Sequence, residues 1–296
     1  MTVRTCLSMV VVTGAVLVCS RDAVAQTSPA GAPAAPTSEL RTQLGVSYSN
    51  LGLQQSIEWT RKRPLAPGGG ALTSDPHFLF GAQVAVSPSY ARVHFWAQYA
   101  PASILTLRVG VEPAQYFGTF DSLMPFDAAD LPFDTDSRKD RGGARADRAI
   151  RLYVTPTVRL RARRLVALAS VDVESWSSSS SGKFFYEPTR DTLLRSSGDV
   201  LGAWRAVMMY EHVTAGGIRV AVGGIHTFQT HGGSLEVDKH LHIQRAGLIT
   251  SIQSDNRLLG LRRPSITATV GRYLDDPSKK DGWTATVTVA TTLRRW

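Results

Sequence analysis

The sequence predicts an all-β fold: a closed, antiparallel, up-and-down transmembrane β-barrel of about 12 strands, or about 10 if the first two merge. Three observations predict it. The chain opens with an export signal, and no second apolar run long enough for a membrane helix follows. From Leu40 onward, apolar and polar residues alternate with a period of two between Gly, Pro, Asp and Ser punctuation. A bilayer admits only helices or closed barrels, because every backbone polar group inside it must be paired internally.

Arg4 begins the charged end of the export signal, Leu7 to Val18 is its apolar run, and Ala23-Val24-Ala25 is a small-residue cleavage site before Gln26. Residues 1–25 therefore read as a signal peptide. Residues 26–39, rich in Ala, Pro, Ser and Thr and without a period, read as a flexible periplasmic lead-in, and 40–296 as the barrel. Both cysteines, Cys6 and Cys19, fall in the leader, so the rest has no thiol for a disulfide or a metal. Val18 before Cys19 departs from the Gly, Ala or Ser of a lipoprotein site.

The formal charge is +9, and Arg4, Arg21 and Asp22 of the leader account for one unit, leaving +8. Such a balance favours anionic partners: acidic saccharides, phosphate groups or lipopolysaccharide. Export and the lack of any nucleic-acid-binding signature exclude nucleic acid. The alternative is arginine scattered over loops and rims.

The clearest strands follow in order. Ala91, Val93, Phe95, Ala97 and Tyr99 form one face against Arg92, His94, Trp96 and Gln98. Leu105, Leu107, Val109 and Val111 oppose Thr106, Arg108, Gly110 and Glu112. Ile150, Leu152, Val154, Val158 and Leu160 oppose Arg151, Tyr153, Thr155 and Arg159, and at the end Val287, Val289 and Leu293 alternate with threonines. One greasy and one polar face per strand is the lipid-out, lumen-in pattern. Connections alternate too. Arg163-Arg164 and 213–216 are tight, whereas 113–148, 177–198 and 230–239 are long and polar. Short turns are periplasmic and long loops extracellular in such barrels, which places both termini in the periplasm.

The leader, the alternation, the loop asymmetry and the closing Trp296 together resemble the bacterial outer-membrane β-barrel superfamily, over about Leu40 to Trp296. The resemblance implies an outer-membrane location, contact with outer-membrane lipid and lipopolysaccharide, and insertion by the barrel-assembly machinery. The assembly signal of that superfamily is a terminal aromatic residue with apolar residues at alternate positions before it. Here Leu293, Val289 and Val287 fall one step out of register with Trp296, so Arg294, Arg295 and Trp296 are expected to overhang the strand.

With greasy faces outward, Arg92, Arg108, Arg151, Arg159, Arg205, Arg219 and Arg245 point inward, together with Glu58, Glu112, Asp172, Glu174 and Glu211. A guanidinium away from water needs a partner. The array is therefore either a paired network bracing the wall or a basic track for a small anionic solute or acidic saccharide, since Arg presents a planar fork matching carboxylate and phosphate. The loop 113–148 repeats an aromatic-acidic theme, Phe120-Asp121, Phe126-Asp127 and Phe133-Asp134, and its acids are candidates to meet the arginines. Phe184-Phe185-Tyr186 in the loop 177–198 is a second candidate cap.

No cofactor is expected. Two ligands, His240 and His242, do not make a metal site, and Gly68-Gly69-Gly70 lacks the Lys-Ser/Thr ending of a phosphate loop. His94, His212 and His226 sit on strands, with no local spacing that ties them into a catalytic triad. The expected function is a non-enzymatic barrel: a porin-like channel for small anions, or a structural or export-associated component. The alternatives are a barrel-embedded hydrolase acting on lipid or lipopolysaccharide, and a secreted soluble β-protein.

Overall fold

The structure is a computed structural model that describes residues 35–48, 52–65, 75–121, 124–232, 241–258, 260–276, 279 and 281–296. The leader, most of the lead-in, Gly68 to Gly70 and His240 lie outside them.

Twelve strands form one closed sheet. They are β1 (Thr37–Ser47), β2 (Gly52–Pro64), β3 (His77–Ser87), β4 (Tyr90–Ala102), β5 (Leu105–Phe117) and β6 (Ala146–Ala162), then β7 (Leu165–Ser178), β8 (Asp199–Val213), β9 (Ile218–His231), β10 (Ile243–Ser254), β11 (Ser265–Asp275) and β12 (Trp283–Arg295). Each pairs antiparallel with its sequence neighbours, and β12 closes onto β1. The first two strands are separate, so the count is 12 rather than 10.

Two-residue turns join β3 to β4, β4 to β5 and β6 to β7, while 118–145 and 179–198 are the longest connections. Both long connections lie at one end, and the termini lie at the other with Arg163-Arg164. The long loop is narrower than the sequence implied. β5 runs on to Phe117 and β6 starts at Ala146, because Glu112 to Phe117 pair residue for residue with Arg151 to Ala146.

Two terminal details differ from expectation. β1 starts at Thr37, inside the segment assigned to the lead-in, because Ser38 and Trp296 exchange backbone hydrogen bonds of 2.7 and 3.0 Å. The same pair, with Glu39 opposite Arg295, ties the last residues into the ladder instead of letting them overhang. A bulge at Leu293 of β12, opposite the Leu40–Arg41 step of β1, absorbs the register mismatch.

The alternation sorts as lipid-out. Phe80, Phe95, Val109, Leu152, Met208 and Leu248 are all exposed on the outer wall, as are Val46, Val173, Val222 and Val287 around the rest of the circumference. Water-soluble monomers rarely expose more than a few hundred Å² of contiguous apolar surface. An apolar surface that encircles the molecule has lipid as its solvent, which rules out the secreted soluble alternative. The protein is a transmembrane β-barrel of the outer-membrane type.

Two glycines shape the inner wall. A Cβ at Gly81 would overlap the Trp96 indole, and one at Gly110 would lie 2.6 Å from the Tyr153 ring. The missing side chains let both aromatic rings lie flat on the neighbouring strand and fill lumen space.

Candidate functional site: a hairpin seated in the lumen

Even-numbered residues of β4, β5 and β7, and odd-numbered residues of β6, β8 and β9, line the lumen. All of the predicted residues Arg92, Arg108, Arg151, Arg159, Arg205, Arg219, Glu112, Asp172 and Glu174 are therefore on inner faces. They separate into two levels, and a loop decides which.

The loop 179–198 folds back as a hairpin, with Phe184–Glu187 paired to Thr192–Arg195. Its alternation explains where it goes. Phe185 and Leu194 pack against Tyr90, Tyr116, Trp176 and Leu201 of the barrel. Tyr186 and Leu193 pack the other way, against Met124, Phe126 and Phe133 of the loop 118–145 and against Leu241. The hairpin is thus sandwiched between wall and cap. Its turn closes through Asp191, whose positive φ of 57° suits an acidic turn residue and whose N–H donates to Glu187 O at 2.8 Å.

The turn supplies the acid that the outer arginines need. Glu187, fully buried, lies 2.6 Å from Arg92 and accepts from the Tyr116 hydroxyl at 2.6 Å and the Thr189 hydroxyl at 2.6 Å. Arg92 also pairs with Glu112 at 3.1 Å, and its guanidinium sits 4.1 Å above the Tyr90 ring. Glu112 continues to Arg151 at 3.4 Å, and Arg151 to Glu174 at 2.7 Å. Glu174 accepts from the Trp176 indole at 2.8 Å and from Arg190 of the hairpin. On the opposite side Asp191 meets Lys279 at 2.6 Å and accepts from the Tyr186 hydroxyl at 2.6 Å. Gln229 of β9 donates to the Arg190 carbonyl at 3.1 Å. The hairpin tip is therefore fastened to β4, β5, β7 and β9 and to the loop before β12. It occupies the outer level of the lumen.

Burial pushes the Lys279 ammonium below the ordinary lysine value, against the upward pull of Asp191. Burial also raises the Tyr186 phenol well above its usual value, with the Asp191 carboxylate adding to it.

The acids of the aromatic loop do not serve as expected. Asp127 and Asp134 make no ion pair with a lumen arginine among the described residues, and the Asp121 side chain lies outside what is described. Asp134 instead caps the short helix α1 (Thr135–Arg141), accepting from the N–H groups of Asp136 and Ser137 at 3.0 Å. Burial works upward on its carboxyl, and these bonds together with the Ser137 hydroxyl outweigh it, holding Asp134 below the ordinary carboxylate value.

The inner level is different. Arg108 stacks 4.1 Å over Trp96 and, among the described residues, donates only to the neutral Gln98, at 2.8 and 3.1 Å. One terminal nitrogen of Arg159 is buried with no partner, and Arg205 makes no ion pair among the described residues. Asp172 accepts from Thr155 at 2.5 Å and lies 3.9 Å from Arg190. Arg219 shares Glu211 with Arg161, at 3.6 and 2.5 Å. Arg245 lies 3.9 Å from Asp191.

The three strand histidines are not brought together. His94 faces the lumen, 2.6 Å from the Tyr153 hydroxyl, whereas His226 is on the outer wall with Gln244 at 2.8 Å, and His212 also faces out. A hydroxyl–imidazole–carboxylate row does occur elsewhere: Thr192 Oγ1 lies 3.0 Å from His231 Nε2, and His231 Nδ1 lies 3.4 Å from Asp199. Thr192 is fully buried while the hairpin is seated, and the row fastens the hairpin to β8 and β9. Among the described residues no group of three or more candidate ligands could hold a metal.

Glu187, Arg190, Asp191, Lys279, His231 and Asp199 were not singled out from the sequence. A signal existed for the first three. Phe-Phe-Tyr-Glu and Thr-Leu-Leu-Arg flank Pro-Thr-Arg-Asp, the pattern of a hairpin with a polar turn.

No family model matches the sequence, and no curated protein matches it. Solved structures superpose on it loosely. The β domain of the Bordetella autotransporter BrkA is 12% identical, covering 88% of this chain and 100% of that one, at a TM-score of 0.44. The NanC porin is 8% identical over 86% of this chain and 99% of that one, at 0.40. The COG4313 outer-membrane channel from Pseudomonas putida F1 is 12% identical over 90% and 99%, at 0.36. None of the three reaches 0.5, and the fold stands on its own strand order.

Proposed function

We propose that the protein is a non-enzymatic outer-membrane channel, closed at its outer mouth by the hairpin 184–195 and selective for small anions when that hairpin withdraws. One contrast supports the reading: the outer arginines are matched by glutamates and the hairpin, while Arg108, Arg159 and Arg205 beneath them have no carboxylate partner at salt-bridge distance among the described residues. Glu58 acts on Arg108 and Asp172 on Arg205 only from beyond salt-bridge distance, and guanidinium so weakly matched in a low-dielectric lumen attracts anions and repels cations. The paired level acts as a brace, as the first sequence reading has it, and the unpaired level acts as the track.

Conductance in planar bilayers tests this. Wild type should conduct little. Replacing residues 184–195 with a short Gly-Ser linker should open steady channels that prefer chloride to potassium, and Arg159→Gln with Arg205→Gln should reduce that preference. Cation selectivity, or a deletion variant that folds and stays closed, would overturn the reading. Release of fatty acid from lipid or lipopolysaccharide by wild type, abolished by Thr192→Val, would favour the hydrolase instead.

A further inference from the structure

The basic charge of this chain is concentrated at one end. At the short-turn rim Arg61, Arg63, Arg163, Arg164, Arg257 and Arg262 are all exposed. The acids there are already engaged: Glu39 by Arg41 and Arg263, Glu211 by Arg161 and Arg219, and Asp75 by Lys62. Asp255 is the one further acid among the described residues of this rim. The undescribed residues 66–74 and 259 that complete these turns carry no charged side chain, so the excess belongs to the sequence.

Position makes the excess informative. On the outer face of β2 the order is Ile57, Trp59, Arg61, Arg63, from apolar band through aromatic ring to cation. Arg164 donates to the exposed Tyr210 hydroxyl at 2.9 Å, and Arg294 lies 5.5 Å from the exposed Trp296 ring. Aromatic rings of this kind mark the membrane–water interface. Cations just beyond them lie at the level of lipid headgroups.

One pair is unfavourable without a ligand. Arg257 and Arg262 stand directly opposite each other in the small hairpin Arg257–Leu258 with Leu261–Arg262. Like charges in directly opposed positions repel. An anion between them converts the clash into a clamp, since each guanidinium offers a planar fork for a phosphate.

We propose that this rim is a binding surface for the phosphate headgroups of anionic phospholipids in the leaflet at the short-turn end, with Arg61 and Arg63 as one contact and the Arg257/Arg262 pair as another. The rim would hold the barrel at a fixed depth in an anionic leaflet. This is independent of whether the lumen conducts.

The test is thermal unfolding of the full-length barrel, followed by heat-modifiable gel migration, in phosphatidylcholine vesicles with and without phosphatidylglycerol. Phosphatidylglycerol should raise the midpoint by several degrees at low salt, and about 0.5 M NaCl should remove most of that gain. Arg257→Gln with Arg262→Gln, and Arg61→Gln with Arg63→Gln, should each lose part of the gain while matching wild type in phosphatidylcholine alone. The corresponding Lys variants should keep most of it. Equal midpoints for wild type in both lipids would overturn the proposal, as would Gln variants that keep the full gain. Stabilisation by soluble polyglutamate with none from phosphatidylglycerol would also overturn it, in favour of an acidic protein partner.

Discussion

Glu187 belongs to a loop and Arg92 to the barrel wall, 95 residues away in sequence, yet their carboxylate and guanidinium are 2.6 Å apart and both are buried. The wall thus carries a cation completed only when the loop is seated. Removing the acid leaves a buried charge short of a partner, which costs about 3–5 kcal/mol in such settings. Glu187→Gln should therefore lower the thermal midpoint of the folded barrel and open the turn 188–191 to added protease. Unchanged protease resistance would show that the apolar faces of Phe185 and Leu194 suffice to hold the hairpin.

The Trp96 indole lies where a side chain at residue 81 would be, so Gly81→Val should displace the ring and the Arg108 guanidinium stacked on it. Overpacking of this kind costs about 1–3 kcal/mol. Combining it with Trp96→Ala should recover part of the loss, measured by the same gel-shift midpoint.

Asp134 is held below the ordinary carboxylate value, so the stability it lends α1 is present above about pH 4 and is lost as pH falls through its lowered folded-state value. Hydrogen exchange across 118–145 should accelerate on acidification below that point. Asp134→Ala, which removes a cap worth about 1 kcal/mol, should exchange fast already at neutral pH and show a weaker pH response.

The strand order fixes which connections share a side. Epitope tags inserted at Asp136 or Ser180 should be accessible on whole cells, and tags at Arg164 or Ala215 should not. Surface labelling at Arg164 would reverse the assigned orientation.

Val154 and Val289 both point outward. Arginine at either position should cost about 2–4 kcal/mol if it sits near the bilayer midplane and less towards an interface. Folding yield into vesicles against urea concentration reads this directly.

Much of the barrel was legible because its code is local. A period of two sorts Val154 from Arg151 whatever surrounds them, and loop length sorts the two rims. The lumen arginines were legible for the same reason. Their partners were not. Glu187 reaches Arg92 only because Phe185 and Leu194 turn one way and Tyr186 and Leu193 the other, so the hairpin is gripped on two faces. That depends on tertiary packing that no single-strand pattern encodes. The aromatic loop, read as 113–148, was misjudged as an acid donor, because Asp134 finds a closer use at a helix start. The overhang expected at Trp296 was misjudged because the bulge that corrects the register, at Leu293, is visible only against Leu40 and Arg41 of β1, more than 250 residues away.

The closing contact between Ser38 and Trp296 also bears on how the molecule is made. Every other pairing in the sheet joins consecutive strands, so each can zip from its turn as soon as its second strand arrives. The pairing of β1 with β12 joins the two most distant strands of the sheet, and so closes the largest loop of any strand pair. Until then β1 and β11 are open edges, and unpaired edges recruit other strands. A chain whose β12 has not docked therefore carries two sticky edges, and the docking of that one strand removes both at once.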